Sequence, residues 1–208
     1  IPFWYNYFGA PADPAGFISA VDPDGRLWSV IGPERAIGAV VKVGGYVASP
    51  AVTVQAGPGS LEFGEPDGSD SARLNRLMDL FEPRAANPAI LLRVVKRAVI
   101  REAVWDKLVF NVVGNVLTTL TQSTNGDASA DPQLRHIHSL MVDEVVSLCA
   151  GLSPPVQLSV TAEKYLAAMA GSDHKASTLQ DLLAGRPFEK DALVTAVQEV
   201  ARSAGVAT

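Results

Sequence analysis

The chain has 208 residues, 48% of them hydrophobic, and a formal net charge of −5, enough for one large domain or two small ones. Lys and Arg are scattered rather than clustered, which argues against nucleic-acid binding, and no apolar run approaches the roughly 18 residues of a membrane-spanning helix. The three histidines, His136, His138 and His174, lack metal-ligand spacing, and the single cysteine, Cys149, reads as a buried filler on an apolar helical face in a reducing compartment.

Ile1-Pro2-Phe3-Trp4-Tyr5 is an aromatic cluster with nothing before it to pack on, and no targeting pattern accompanies it. It reads as the later part of a longer protein. Residues 1–20 look like a loop or short helix, and Asp22-Pro23-Asp24-Gly25 is a turn signature. The texture then turns to β. Arg26–Ile31, Ala36–Val43, Ala51–Gln55 and Ser60–Gly64 are predicted as four short strands, punctuated by Gly32-Pro33, Gly44-Gly45, Pro50, Gly57-Pro58-Gly59 and Pro66. Alone they would expose long edges, so they are expected to complete a larger sheet whose other strands lie outside this chain.

From Ser69 the texture is helical. Ser69–Glu82 is amphipathic, and Pro88 opens a short strand or helical turn leading into a helix over Lys96–Thr121. Asn125-Gly126-Asp127 is predicted to end that unit as a turn. Asp131-Pro132 supplies an N-cap and a first-position proline for a helix to about Ala150, and Gly151 to Pro155 breaks it. Thr161–Ala170 is the next helix. Ser172 or Asp173 is expected to cap another over Lys175–Ala184, which Gly185 stops. Pro187 opens the last, with Phe188, Leu193, Val197 and Val200 as its buried face. The predicted boundary near residue 67 separates a partial α/β region, 1–67, from an all-α domain, 68–208.

The chemistry concentrates in Trp105–Asn125. Leu108, Val112, Val113, Val116, Leu117 and Leu120 make this an apolar helix with most of its circumference buried. Lys107, Asn111 and Asn115 nevertheless recur at i, i+4 and i+8, which at about 100° per residue is one slowly drifting stripe. Such groups in a buried helix must be paired or wet, so the stripe is either an internal hydrogen-bond network or the wall of a polar ligand pocket. Residue types alone leave both open. Lys107 either snorkels to the surface or stands as a half-buried ammonium, a proton donor or a clamp for an oxyanion. Glu189 by itself reads as an ordinary partner for a helix N-terminus, and Ser177 as a turn cap or a ligand contact.

Three segments, in order and with fitting spacing, carry a resemblance. Ile1-Pro2-Phe3-Trp4-Tyr5 is the first. Trp105-Asp106-Lys107-Leu108 with Asn111 and Asn115 follows the pattern W-x-K-L-x-x-N-x-x-x-N. Ser177-Thr178-Leu179-Gln180-Asp181, then Gly185-Arg186-Pro187-Phe188-Glu189 and Asp191, resembles S-M-L-Q-D followed by G-R-x-x-E-x-D. Together they resemble the ketopantoate reductase (2-dehydropantoate 2-reductase) family. The first corresponds to the stretch after the Asn-Gly that closes that family's nucleotide-domain core.

The resemblance implies a fold and an activity. The fold is the last strands of a Rossmann-type NADP-binding domain followed by a helical C-terminal domain of the 6-phosphogluconate dehydrogenase C-terminal type. The activity is NADPH-dependent reduction of ketopantoate, a 2-oxo acid, to pantoate, in the cytoplasm, on the route to pantothenate and coenzyme A. Lys107 would be the general acid and would stabilise the developing alkoxide. Asn111, Asn115 and Asn125 would bind substrate carboxylate and hydroxyl, and Ser177 would hold the carboxylate end with Gln180 nearby. Glu189 would accept hydrogen bonds from the cofactor ribose, and Gly45 would lie where the chain passes the nicotinamide. The implied partners are the small-molecule substrate and, at most, a second copy in a homodimer.

Departures are few. Val116 stands where the family has proline, Thr119 where it has a small residue, and Thr178 where Met is common. These changes reshape a pocket, which keeps open a paralogue acting on another 2-oxo acid. A non-catalytic helical module that dimerises is the third reading. The dinucleotide fingerprint G-x-G-x-x-G is not among the 208 residues, so this chain by itself is expected to bind NADPH weakly or not at all.

Overall fold

The computed structural model describes residues 1–9, 16–55, 57–85 and 91–207. They fall into two compact units. One comprises Trp4–Phe17 and Arg26–Val104, the other Ile1–Phe3, Ile18–Gly25 and Trp105–Thr208.

The first unit holds the described strands: β1 (Gly38–Lys42), β2 (Gly45–Ser49), β3 (Val52–Gln55), β4 (Gly59–Gly64) and β5 (Leu92–Lys96). Helix α1 (Ala72–Ala85) lies between β4 and β5 in sequence, and α2 (Ile100–Val109) follows β5. The main sheet has the order β1-β4-β5, with β1 antiparallel and β5 parallel to β4. A parallel pair cannot be closed by a hairpin, and the stretch carrying α1 supplies the crossover. β2 and β3 form a separate antiparallel hairpin, on which Val47 and Val52 are exposed. Trp4 and Ile100 lie so close to β1 that a Cβ on Gly38 would approach them to 2.9 and 2.8 Å.

Charge is buried in this unit, and it is paired. Glu62, 1% exposed, meets Lys42 at 2.8 Å and Arg97 at 2.5 Å. Glu65 accepts from Arg73 Nε at 2.8 Å and Nη2 at 2.5 Å, and from the Ser71 hydroxyl. Arg101 is buried and donates to the backbone carbonyls of Tyr5, Tyr7 and Pro66, while its guanidinium lies 3.8 Å from the centre of the Phe8 ring. Burial pulls the Arg101 pKa down to about 10. The aromatic opening of the chain is thus held by one arginine 96 residues on from Tyr5.

The second unit continues with α3 (Val116–Thr121), α4 (Asn125–Ala130), α5 (Pro132–Gly151), α6 (Ala162–Met169), α7 (Ser177–Leu183) and α8 (Ala196–Ser203). Asp131 caps α5 as expected, accepting from the Gln133 and Leu134 amides at 2.8 and 3.0 Å. Glu199 on α8 accepts from the Ser19 and Ala20 amides at 2.7 and 2.9 Å and ties Ile18–Gly25 to the helices. The core is filled by Trp105, Val109, Val113, Val142, Leu148, Cys149, Tyr165 and Leu179, all under 1% exposed.

Several expectations are corrected. Arg26–Ile31 is no strand: Leu27–Ile31 is a π-turn that buries Trp28 alone and ends at Gly32 with φ of 81°. Gly45 begins a strand where a break was expected. Pro88 lies outside the described residues, but β5 follows it. The long helix starts at Ile100, not Lys96, because Lys96 still pairs with Phe63 in the sheet. The units divide at Trp105, within α2, rather than near residue 67, since β5 joins the sheet and α1 packs against it. Asn125-Gly126-Asp127 opens α4 instead of closing a unit, because Thr124 and Asp127 form a reciprocal capping box. Ala176, not Ser172 or Asp173, occupies the cap position of α7. Phe188 precedes the last helix in an irregular segment and is 42% exposed, and Leu120 is 77% exposed.

Candidate active site

The helix carrying the polar stripe is not uniform. Between α2 and α3, Phe110–Asn115 forms a π-turn. A π-turn takes up more residues per turn than an α-helix, so i and i+4 neighbours stop advancing around the axis. The drifting stripe is thereby straightened, and Asn111 and Asn115 line one cleft of about 230 Å³. Thr119, Thr178, Glu189 and Lys190 are its other polar walls, and Val116, Leu120, Phe188, Leu193 and Val194 its apolar ones. Leu193 and Val194 come from a second π-turn, Asp191–Thr195. Such bulges are frequent at functional sites. Neither was foreseen, because the sequence of a π-turn looks like that of a helix.

The Asn115 side chain is buried, and its Nδ2 donates to Ser177 Oγ at 3.3 Å, across 62 residues of chain. This joins the two segments that sequence spacing had singled out. Thr178, buried beside Ser177, is a wall the sequence reading had treated only as a departure. Arg186 donates twice to Asp181 Oδ1, at 2.9 and 2.7 Å, and so ties α7 to the segment carrying Phe188 and Glu189. Glu189 is exposed at the rim, its carbonyl accepting from the Leu193 amide at 3.1 Å. Asp191 accepts from Thr195 Oγ1 at 2.9 Å along its own helix.

The other candidates are placed as follows. Lys107 is exposed on the last turn of α2, one turn before Asn111. Gln180 Nε2 donates to the Lys175 carbonyl at 2.7 Å. Asn125 is buried, its backbone N–H donating to the His174 carbonyl at 3.1 Å, and the Gly126 backbone N–H to that of Ser172 at 2.8 Å. Gly45 belongs to the other unit, where a Cβ would stand 2.8 Å from the Val54 carbonyl, so the hairpin itself calls for glycine there.

Behind the π-turn, the Tyr165 ring packs 5.1 Å from Phe110 and 5.4 Å from His138, centre to centre. Both Tyr165 and His138 are fully buried, and burial lowers the His138 pKa, leaving a neutral imidazole. A second, apolar cleft of about 170 Å³ shares Val116 and Val194 with the first. Among the described residues no His, Cys, Asp and Glu cluster could hold a metal, and no helix is long and apolar enough to cross a membrane.

Residues 99–208 match the family described as ketopantoate reductase PanE/ApbA, C terminal. The chain belongs to that family. A 2-dehydropantoate 2-reductase of Mesorhizobium japonicum is 34% identical over 203 residues, covering 97% of this chain and 60% of the relative. A crystal structure from Ralstonia solanacearum MolK2, provisionally named a ketopantoate reductase, superposes with a TM-score of 0.83 at 28% identity, over all of this chain and 61% of that one. D-mandelate dehydrogenase, solved with NADH, shares the fold at a TM-score of 0.68 and 18% identity, over 84% of this chain and 58% of its own. The chain thus spans about 60% of the length of the curated relative. The end of a Rossmann-type domain followed by a helical C-terminal domain, expected from the sequence, is the family's arrangement.

Proposed function

We propose that the natural protein reduces 2-dehydropantoate to pantoate with NADPH, in the cytoplasm, as a step toward pantothenate. The observation that carries this reading is the Asn115–Ser177 hydrogen bond at a cleft whose other amide is Asn111, in a member of the ketopantoate reductase family. Amide and hydroxyl donors in a largely apolar cleft hold a carboxylate better than the same groups in open water. Asn111, Asn115 and Ser177 orient the 2-oxo acid. Asn125, at the start of α4, and Gln180, in α7, contribute from the neighbouring elements, and Gln180 also holds the Lys175 carbonyl. Lys107, an ammonium one turn before Asn111, delivers the proton to the carbonyl oxygen and stabilises the negative charge that develops on it.

NADPH, when bound, supplies the hydride. On this chain, Glu189 fits such a cofactor: its exposed carboxylate at the cleft rim only accepts hydrogen bonds, as a ribose hydroxyl requires. A cofactor role for Gly45 has less support, since its hairpin already accounts for the glycine. A homodimer is the assembly proposed.

The test is NADPH oxidation by the natural protein with 2-dehydropantoate as substrate. Turnover at a rate typical of enzymes supports the reading, and failure to reduce that substrate or any other 2-oxo acid sinks it. One observation favours a second reading, reduction of a different 2-oxo acid: Val116 and Thr119, both departures from the family pattern, line the cleft. A higher kcat/KM for another branched 2-oxo acid than for 2-dehydropantoate would establish it.

A further inference from the structure

Gly114 stands in the middle of the π-turn, between Asn111 and Asn115, with a helical backbone that any residue could adopt. Glycine is a poor choice inside a helix, so space rather than backbone conformation has to explain it. A Cβ built there would meet one side chain, the hydroxyl of Tyr165, at 3.0 Å. Burial leaves that hydroxyl little room to yield. The Tyr165 ring is fully buried, flanked by Phe110 and His138, and the oxygen has no hydrogen-bond partner among the described residues. On the far side of the turn, the Gly114 carbonyl is held by Thr118 Oγ1 at 2.7 Å.

We propose that Tyr165 is a positioning residue for substrate binding: its hydroxyl seats against Gly114 and its ring against Phe110, and together they fix the π-turn so that the Asn111 and Asn115 amides face the cleft. It touches no substrate and acts through the turn. The proposal rests on the reductase reading for its kinetic readout only. Side chains in a packed core transmit small displacements instead of absorbing them. A shift of a few tenths of an ångström at Gly114 therefore reaches the amide of Asn115, its immediate neighbour, and the bond from there to Ser177.

The experiment is a double-substitution cycle in the natural protein. Gly114→Ala should raise KM for the 2-oxo acid on the order of tenfold, with a smaller change in kcat and none in KM for NADPH. Adding Tyr165→Phe removes the one atom the new methyl group meets, and should restore most of that KM. Tyr165→Leu, which withdraws the seat without adding an atom to the turn, should raise the same KM and guards against a Gly114→Ala protein that does not accumulate. The side-chain amide resonances of Asn111 and Asn115, recorded without substrate, should shift in Gly114→Ala and return in the double variant. A Gly114→Ala defect that Tyr165→Phe does not relieve, or a Tyr165→Leu protein with unchanged KM, overturns the proposal. Absence of turnover in the unsubstituted protein defeats the reductase reading instead, and the amide resonances then decide this one.

Discussion

The two units bury polar groups to different ends. In the sheet unit each buried charge is answered within the unit: Glu62 by Lys42 and Arg97, Glu65 by Arg73, and Arg101 by three backbone carbonyls. In the helical unit the polar groups of the π-turn face a cleft. Asn115 is bonded to Ser177 at a long 3.3 Å, and behind them the His138 nitrogens and the Tyr165 hydroxyl have no hydrogen-bond partner among the described residues. Saturated polar groups fix architecture. Groups left with spare donors beside a cavity are the ones that can bind something else.

Substitutions should separate these roles. The largest effect is expected at Lys107: Lys107→Ala should lower kcat by about 10²–10⁴-fold with an unchanged unfolding midpoint, measured by steady-state kinetics and thermal melting. Glu62→Gln should do the reverse. It leaves Lys42 and Arg97 without their carboxylate at a cost of about 3 kcal/mol in a urea titration, while KM stays put.

Acid should act on the same unit. Burial alone would raise the Glu62 pKa, but hydrogen bonds from Lys42 and Arg97 overcome it and hold the carboxyl below its ordinary 4.5; Arg73 does the same for Glu65. A depressed pKa means stability that is present above about 4.5 and lost as the pH falls through the lower, folded value. Urea titrations of the sheet unit should therefore weaken below that pH, and less so in Glu62→Gln.

Smaller effects sharpen the contrast further. Asn115→Ala should raise KM for the 2-oxo acid by about 10–100-fold, with the sheet unit's acid response intact. Gly45→Ala should cost about 1–3 kcal/mol by crowding the Val54 carbonyl and leave KM for the 2-oxo acid alone, which would assign that glycine to the hairpin. Calorimetry of the 208-residue chain with NADPH should show weak binding or none; micromolar affinity would mean that these residues hold more of the cofactor site than Glu189.

What could be read in advance follows local chemistry. Asp131-Pro132 announced α5 because a cap and a first-position proline are local signals. Thr124-x-x-Asp127 is an equally local signal, but the Asn-Gly pattern beside it fits a turn as well. Arg26–Ile31 misled because partial alternation fits a strand, and nothing nearby says that only Trp28 finds a core. The stripe of Lys107, Asn111 and Asn115 was legible from spacing alone. The π-turn on which both asparagines sit was not, since its packing partner Tyr165 is 51 residues from Gly114 in sequence. Helical periodicity places Phe188 on a buried face, yet its segment is irregular and tied by Arg186 to Asp181.

Cys149 gives the helical unit a clock. It is the chain's single thiol, it is fully buried in α5, and burial pushes its pKa up to about 12. In the closed fold almost no thiolate forms and no reagent reaches it, so alkylation waits for α5 to open. The labelling rate against denaturant then reads the stability of the unit that bears the cleft, apart from that of the sheet. A 2-oxo acid seated on Asn111 and Asn115 should slow the clock in proportion to its occupancy, making affinity measurable with no cofactor and no turnover.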